Sequence, residues 1–307
     1  MVARKWPEYV TRWEDAEQKL MKLNMMPHDQ EHRIKQQIKK IIFFIMLIAF
    51  SKRFKSRITF SPTLVFLVEH NLGIASGIYS SKSCWSMQPA DEAYFRNSFI
   101  DFFTVFNIFA WNFIDAYLII ISVLLTENFT CINRKLNTNN TRIKSSQFWN
   151  DAWAAYKVSV NLVEETNDLN GGTILISFFS NLYFVCVQLL GCFKSESTFV
   201  DGLHLWLSLI FLIGRTLAVC WFASQINDES MKPLHILRSV QSDYFDITMK
   251  RFSEHLATYS VALSGMNFFQ LTRKLILSIS GTVVTYELVL VQFNEAEQEI
   301  SDNNSCT

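Results

Sequence analysis

FIDFFTVFNIFAWNFIDAYLIIISVLL, residues 99–125, decides the kind of molecule this is. The stretch carries two charged side chains, Asp101 and Asp115, and neither glycine nor proline. Wound as a helix at about 1.5 Å per residue it reaches about 40 Å, more than the roughly 30 Å of a bilayer's hydrocarbon core. Three further stretches pass the same test: TILISFFSNLYFVCVQLLGCF at 173–193, LHLWLSLIFLIGRTLAVCWFAS at 203–224 and LILSISGTVVTYELVLVQF at 275–293. A fifth, ITFSPTLVFLVEHNLGIASGIY at 58–79, is long enough but holds Glu69, His70 and Asn71. The run before it, IIFFIMLIAF at 41–50, is too short to cross and is cut off by the basic heptad Ser51–Arg57. One span ending near residue 79 is expected there, with 41–50 at the interface or within the protein.

Composition agrees. Half of the 307 residues are hydrophobic, 27 are Phe, and charged residues make up 18%, against about a quarter in soluble domains. Nine Gly and five Pro suit long helices better than a turn-rich β protein. A net charge of zero leaves no basic footprint for nucleic acid. The six cysteines form no CxxC pair, and Cys186, Cys192 and Cys220 lie in or beside apolar runs, where a small buried hydrophobe is the ordinary role. Residues 1–40 are strongly charged, unlike a secretory leader.

Lys and Arg in short loops mark the cytosolic side. Residues 1–40 hold nine, 126–170 hold five and 225–262 hold four, whereas 80–98 and 194–202 hold only Lys82, Arg96 and Lys194, and the acidic tail 294–307 holds none. These alternate in register with five spans, so a cytosolic N-terminus and an extracellular C-terminus are expected, the reverse of a G-protein-coupled receptor's tail. The expected order is a cytosolic segment 1–40, two spans within 41–125, a cytosolic helical segment 126–172, two spans within 173–224, a second cytosolic helical segment 225–274, a last span 275–293 and an extracellular tail 294–307. The sequons at Asn128 and Asn139 then face the cytosol and stay unmodified, and only Asn303 lies outside. Helical spacing recurs in 145–168 (Phe148, Trp149, Ala152, Tyr156, Val160, Val163) and in 233–272 (Leu234, Leu237, Val240, Tyr244, Ile247, Phe252, Leu256). Aromatic residues at these positions favour a packed collar over separate surface helices. The fold class is all-α: a multi-span helical bundle in the membrane, with a helical collar below it.

The last fifth of the chain carries the most specific pattern. Thr285-Tyr286, five residues including Leu290, then Gln292-Phe293 resembles the TY-x5-QF signature of insect gustatory receptors. Leu263-Ser264-Gly265, Phe268-Phe269, Leu271-Thr272-Arg273 and Gly281-Thr282 are similar to the sugar-sensing branch. Upstream, Trp13-Glu14 with Glu17, Glu69-His70, and Phe109, Trp111, Phe113, Asp115 and Ser122 resemble its earlier segments. The resemblance implies a seven-span fold, of which five spans are counted here. The two before Met1 are expected to be missing, as in a fragmentary chain, and Ser51–Phe60 stands as an insertion-like departure.

It further implies a plasma-membrane subunit of gustatory neurons, forming homo- or hetero-tetramers with other gustatory receptors and opened by sugars to pass monovalent and divalent cations. No cofactor is implied. By resemblance the last helix lines the pore, with Gln292 and Phe293 at its narrowest point. On an ideal helix Thr285, Val289 and Gln292 share a face with Leu288. Glu287 lies off that face, and a pore role there competes with an intersubunit hydrogen bond. Alternatives are a non-conducting or co-receptor subunit, and an odorant or other-tastant channel.

Sugars need hydrogen-bonding groups beside aromatic faces. Glu69, His70, Trp111, Asn112, Asp115, Tyr183 and Gln188 supply these within the spans. Each competes with a helix–helix hydrogen bond. His204 and Trp206 suit interfacial anchors better. Arg215 is expected to pair with a buried carboxylate, Asp115 or Glu69. His28-Asp-Gln-Glu31-His32 matches an H-x-x-E-H zinc pattern, but lies in a charged stretch beside Pro27 with no third ligand in any motif. Neither this nor any other pattern suggests an enzyme.

Overall fold

Three long helices dominate the structure, a computed structural model that describes residues 2–25, 36, 38–40, 90–138, 145–194, 199–240, 247–282, 284–286, 288, 289 and 292. They are α2 (Ala90–Thr138), α3 (Ser146–Lys194) and α4 (Phe199–Arg238). A shorter α1 (Val2–Lys22) precedes them and α5 (Ile247–Thr258) follows. The two-stranded hairpin β1 (Ser264–Gly265) and β2 (Phe269–Gln270) comes next, and a last helical stretch begins at 273. The chain divides into two compact units, Met1–Ile34 with Tyr117–Thr307, and Lys35–Ala116.

Stretches within α2, α3 and α4 are long and apolar enough to cross a membrane: Ala110–Asn137, Ser146–Leu189 and Trp206–Arg238. The helices outrun the membrane. At 49 residues, α2 and α3 each extend about 70 Å against a core of about 30 Å. The expected membrane boundary at 172/173 falls inside one continuous helix, which runs through Asn170-Gly171-Gly172. The span at 58–79, the run at 41–50, the Ser51–Phe60 stretch and the His28–His32 pattern lie outside the described residues.

The helices also pack on one another. On α2, Leu125, Phe129, Ile132 and Leu136 recur every three or four residues and are all buried, the stripe a helix presents to a core. On α3, Trp149, Ala152, Tyr156, Val160 and Val163 are buried in the same way. Phe129 meets Tyr156 edge-on at 5.5 Å, and Tyr156 meets Phe252 of α5 at 5.2 Å. The periodicity read in 145–168 thus forms a packed layer, not isolated surface helices.

α1 buries Tyr9, Ala16 and Leu20. Tyr9 shares a 2.8 Å hydrogen bond with Thr166 of α3. α1 stops at Asn24, whose φ of 51° is left-handed. Asn24 N–H donates to Met21 O and Met25 N–H to Leu20 O, and the buried Met25 and Leu20 complete a Schellman cap.

The segment 233–272 departs from the helical expectation in its second half. Its helical spacing ends at Leu256, and the chain leaves the helix two residues later. Ser264, Gly265 and Asn267 then supply turn chemistry. Met266 and Asn267 both have positive φ, 49° and 63°, and Phe268 N–H donates to Gly265 O at 3.0 Å. That is the type I′ turn favoured by tight hairpins.

Candidate functional site

A polar side chain at membrane depth must face protein or water, so buried polar groups in the spans come first. On α2, Asn112 and Asp115 are 6% and 3% exposed, with Trp111 half-buried one residue earlier. Glu69 and His70, expected to join them, lie outside the described residues.

α3 carries a polar line. Asn170, Ser177, Asn181 and Gln188 fall within about 40° of one another at 100° per residue. Asn170 Oδ1 accepts from Tyr117 at 2.9 Å, Asn181 Oδ1 accepts from Arg215, and Gln188 Nε2 donates to Ser208 Oγ at 3.1 Å. Arg215 thus meets an amide of α3. Two atoms on this line, Asn170 Nδ2 and Gln188 Oε1, are buried with no hydrogen-bond partner among the described residues. Buried polar atoms are seldom left so unless water or a ligand completes them. Tyr183 points elsewhere: five residues before Gln188, it sits about 140° around the helix, is 51% exposed and packs on Phe184. Trp206 is half exposed.

The hairpin is fastened to two helices. Asn167 of α3 uses both ends of its amide: Nδ2 donates to Ala262 O at 3.0 Å and Oδ1 accepts from Ser264 N–H at 2.9 Å. Asn227 of α4 donates to Val261 O and to Ser260 Oγ, both at 3.0 Å. Gly171 lets the turn approach α3, since a Cβ there would sit 3.1 Å from Met266 N. Phe269 packs on Phe178 at 4.6 Å and Phe179 at 6.4 Å. Just below, Tyr259 donates to Glu164, and that bond, then burial and the carboxylate's charge, push the phenol up to about 12.

Beyond the hairpin, Arg273 pairs with Asp228 and lies over the Trp221 ring, 5.2 Å from its centroid. From there the last helix leaves the body of the chain. None of the described residues from 272 to 292 is buried, and Leu277 and Leu288 are 74% and 61% exposed. Thr285, Tyr286, Leu288, Val289 and Gln292 are all exposed, while Glu287, Leu290 and Phe293 lie outside the described residues. Ser278, Gly281, Thr282, Thr285 and Gln292 share an arc of about 100° with Val289, a mainly polar stripe, with Ser280 and Glu287 at positions outside it.

A model of the trehalose receptor family matches residues 1–306. The chain belongs to that family of gustatory receptors. It is 33% identical to the gustatory receptor for sugar taste 64f of Drosophila melanogaster, over 96% of this chain and 62% of that one. It is 31% identical to gustatory receptor 5a for trehalose of the same fly, again over 96% of this chain and 65% of that one. The receptor chain thus spans somewhat under two thirds of the length of these relatives. Its fold is similar to that of an insect olfactory receptor from Machilis hrabei solved in complex with eugenol, with a TM-score of 0.57 at 16% identity, covering 85% of this chain and 70% of that one. The family is one of receptors, not enzymes. The flanking motif residues Leu263–Gly265, Phe268-Phe269 and Leu271–Arg273 are those of the hairpin and its exit into the last helix. Asn167, Asn227, Asn170 and Ser208 were not singled out from sequence. A readable signal for the first was the glycine pair at 171–172, which marks a close approach of another backbone.

Proposed function

We propose that this chain is a subunit of a sugar-gated, non-selective cation channel in the plasma membrane of gustatory neurons, with a cytosolic N-terminus and an extracellular C-terminus. One observation carries the reading: the last helix exposes a polar stripe through Ser278, Thr282, Thr285 and Gln292 and has no buried residue among those described. The Thr282 and Thr285 hydroxyls donate to Ser278 O and Gly281 O of their own helix, so in hydrocarbon it is above all the Gln292 amide that needs water or protein against the stripe. Copies arranged around an axis, four by analogy with the family, would turn the stripes toward a shared water-filled path and cover the remaining faces. Val289, Leu288, Gln292 and Phe293 would set its narrow part, with Glu287 off the stripe as an intersubunit or cation-attracting group.

The relatives named for sugar taste and trehalose support a sugar as opener. Gln188 Oε1, buried and unpartnered beside Ser208, offers an acceptor for a hydroxyl. Asn112, Asp115, Trp111, Glu69, His70 and Tyr183 are the further candidates for that ligand.

Whole-cell recording from cells expressing the receptor with its neuronal partner receptors tests this. Sugars are expected to evoke a current carried by Na⁺, K⁺ and Ca²⁺, and Gln292→Ala is expected to change gating or permeation at unchanged surface level. Confirmed surface expression without any sugar-evoked current would refute the channel reading.

A further inference from the structure

Asn167 stands where three observations meet. Its side-chain amide mimics a neighbouring strand, accepting from Ser264 N–H and donating to Ala262 O. It sits on α3, the rod that carries the polar line from Asn170 to Gln188. And the strand it holds leads, through one tight turn and Phe269-Gln270-Leu271-Thr272, directly into the last helix. Past the hairpin Arg273 pairs with Asp228 of α4, and none of the described residues from 272 onward is fully buried, so the grip of α3 on the hairpin is a direct route from that rod to the last helix. The contact is also stiff. Met266 backbone lies close against Gly171, where an added Cβ would sit 3.1 Å from Met266 N, and Leu271 N–H donates to Leu263 O at 2.8 Å to close the hairpin.

Resting on the channel reading above, we infer that Asn167 is a positioning residue for gating: it couples movement of α3 to the last helix by gripping the hairpin backbone at Ala262 and Ser264. It touches neither sugar nor ion. Its loss weakens the link between a bound sugar and the open pore while leaving the pore itself intact. Coupling between sites typically amounts to 5–150-fold in apparent affinity.

The test is the sugar concentration–response curve of Asn167→Ala beside Tyr9→Phe, each with surface level and reversal potential measured. Tyr9→Phe removes a buried hydrogen bond to Thr166, the residue before Asn167, without touching the hairpin. The expected result is a half-maximal concentration raised about fivefold or more in Asn167→Ala, an unchanged reversal potential, and a wild-type curve for Tyr9→Phe. Equal curves for Asn167→Ala and wild type overturn the inference, as do equal shifts in the two variants, which would mark a loss of stability alone. Should Asn167→Ala fail to reach the surface, Asn167→Asp, which keeps the acceptor for Ser264 N–H, replaces it with the same expectation. Failure of both assigns Asn167 to folding only and overturns it too. Wild-type channels silent to every sugar would refute the channel reading instead.

Discussion

Replacing Gly171 by alanine should separate two effects that usually act together. In a helix interior alanine is favoured over glycine by about 0.8–1.0 kcal/mol. That gain is available unopposed at Gly214 of α4, where an added Cβ meets nothing within 4 Å. At Gly171 the same methyl would sit 3.1 Å from Met266 N and 3.4 Å from Met266 Cα, inside the roughly 3.5–4.0 Å of an ordinary contact. The obstructing atoms are backbone, and Asn167 and Asn227 hold the adjoining residues, so the neighbour yields little. Overpacking of this kind costs about 1–3 kcal/mol. Gly171→Ala should therefore lie between neutral and about 2 kcal/mol destabilising, and Gly214→Ala about 0.8–1.0 kcal/mol stabilising. At about 2–4 °C per kcal/mol, the two variants should unfold several degrees apart. The assay is thermal unfolding of the detergent-purified receptor followed by size-exclusion fluorescence. If Gly171→Ala gains as much as Gly214→Ala, the close seat of the hairpin on α3 is refuted.

Tyr9→Phe should cost about 0.5–1.5 kcal/mol in the same assay, since Thr166 Oγ1 keeps its second bond to Leu162 O; a loss far above that would mean Tyr9 does more than pin α1. Gly281→Ala meets nothing within 4 Å in the single chain, so it should raise helix stability by about 0.8–1.0 kcal/mol in isolated protomers. In assembled receptor, where Gly281 would adjoin a neighbour, that gain should vanish, and an equal gain in both states counts against close packing of the last helices. An epitope fused after Thr307 should be reached by antibody on intact cells, and staining only after permeabilisation would overturn the proposed orientation.

The helical, membrane-embedded class was legible in the apolar stretches at 99–125, 173–193 and 203–224, because length and hydropathy alone decide whether a helix can cross a bilayer. The buried positions Trp149, Ala152, Tyr156, Val160 and Val163 were legible too, since periodicity reports directly on which face is covered. What periodicity does not report is where a helix ends when polar and apolar stretches are equally helical. The division drawn at 172/173 followed hydropathy, and α3 runs through it unbroken, with Gly171 leaving room for the approach of Met266. The hairpin at 264–270 was hidden for a different reason: strands of two residues leave no alternating pattern, and only the Ser-Gly and Asn around the turn signalled it. Gln188 was picked out as a polar group in an apolar run. Its partner Ser208 and the clamp by Asn167 depend on side chains 20 and 95–97 residues apart meeting in space, which no local pattern encodes.

A last helix with a bare polar stripe has a consequence for how the receptor is made. In the proposed channel a lone copy would leave this stripe, and above all the Gln292 amide, against acyl chains, so the segment would finish folding only when sister chains arrive. Stability then depends on how many copies share the membrane. Dosage should act steeply: halving synthesis should lower the mature population by more than half, and orphan copies should be the ones removed by cellular proofreading.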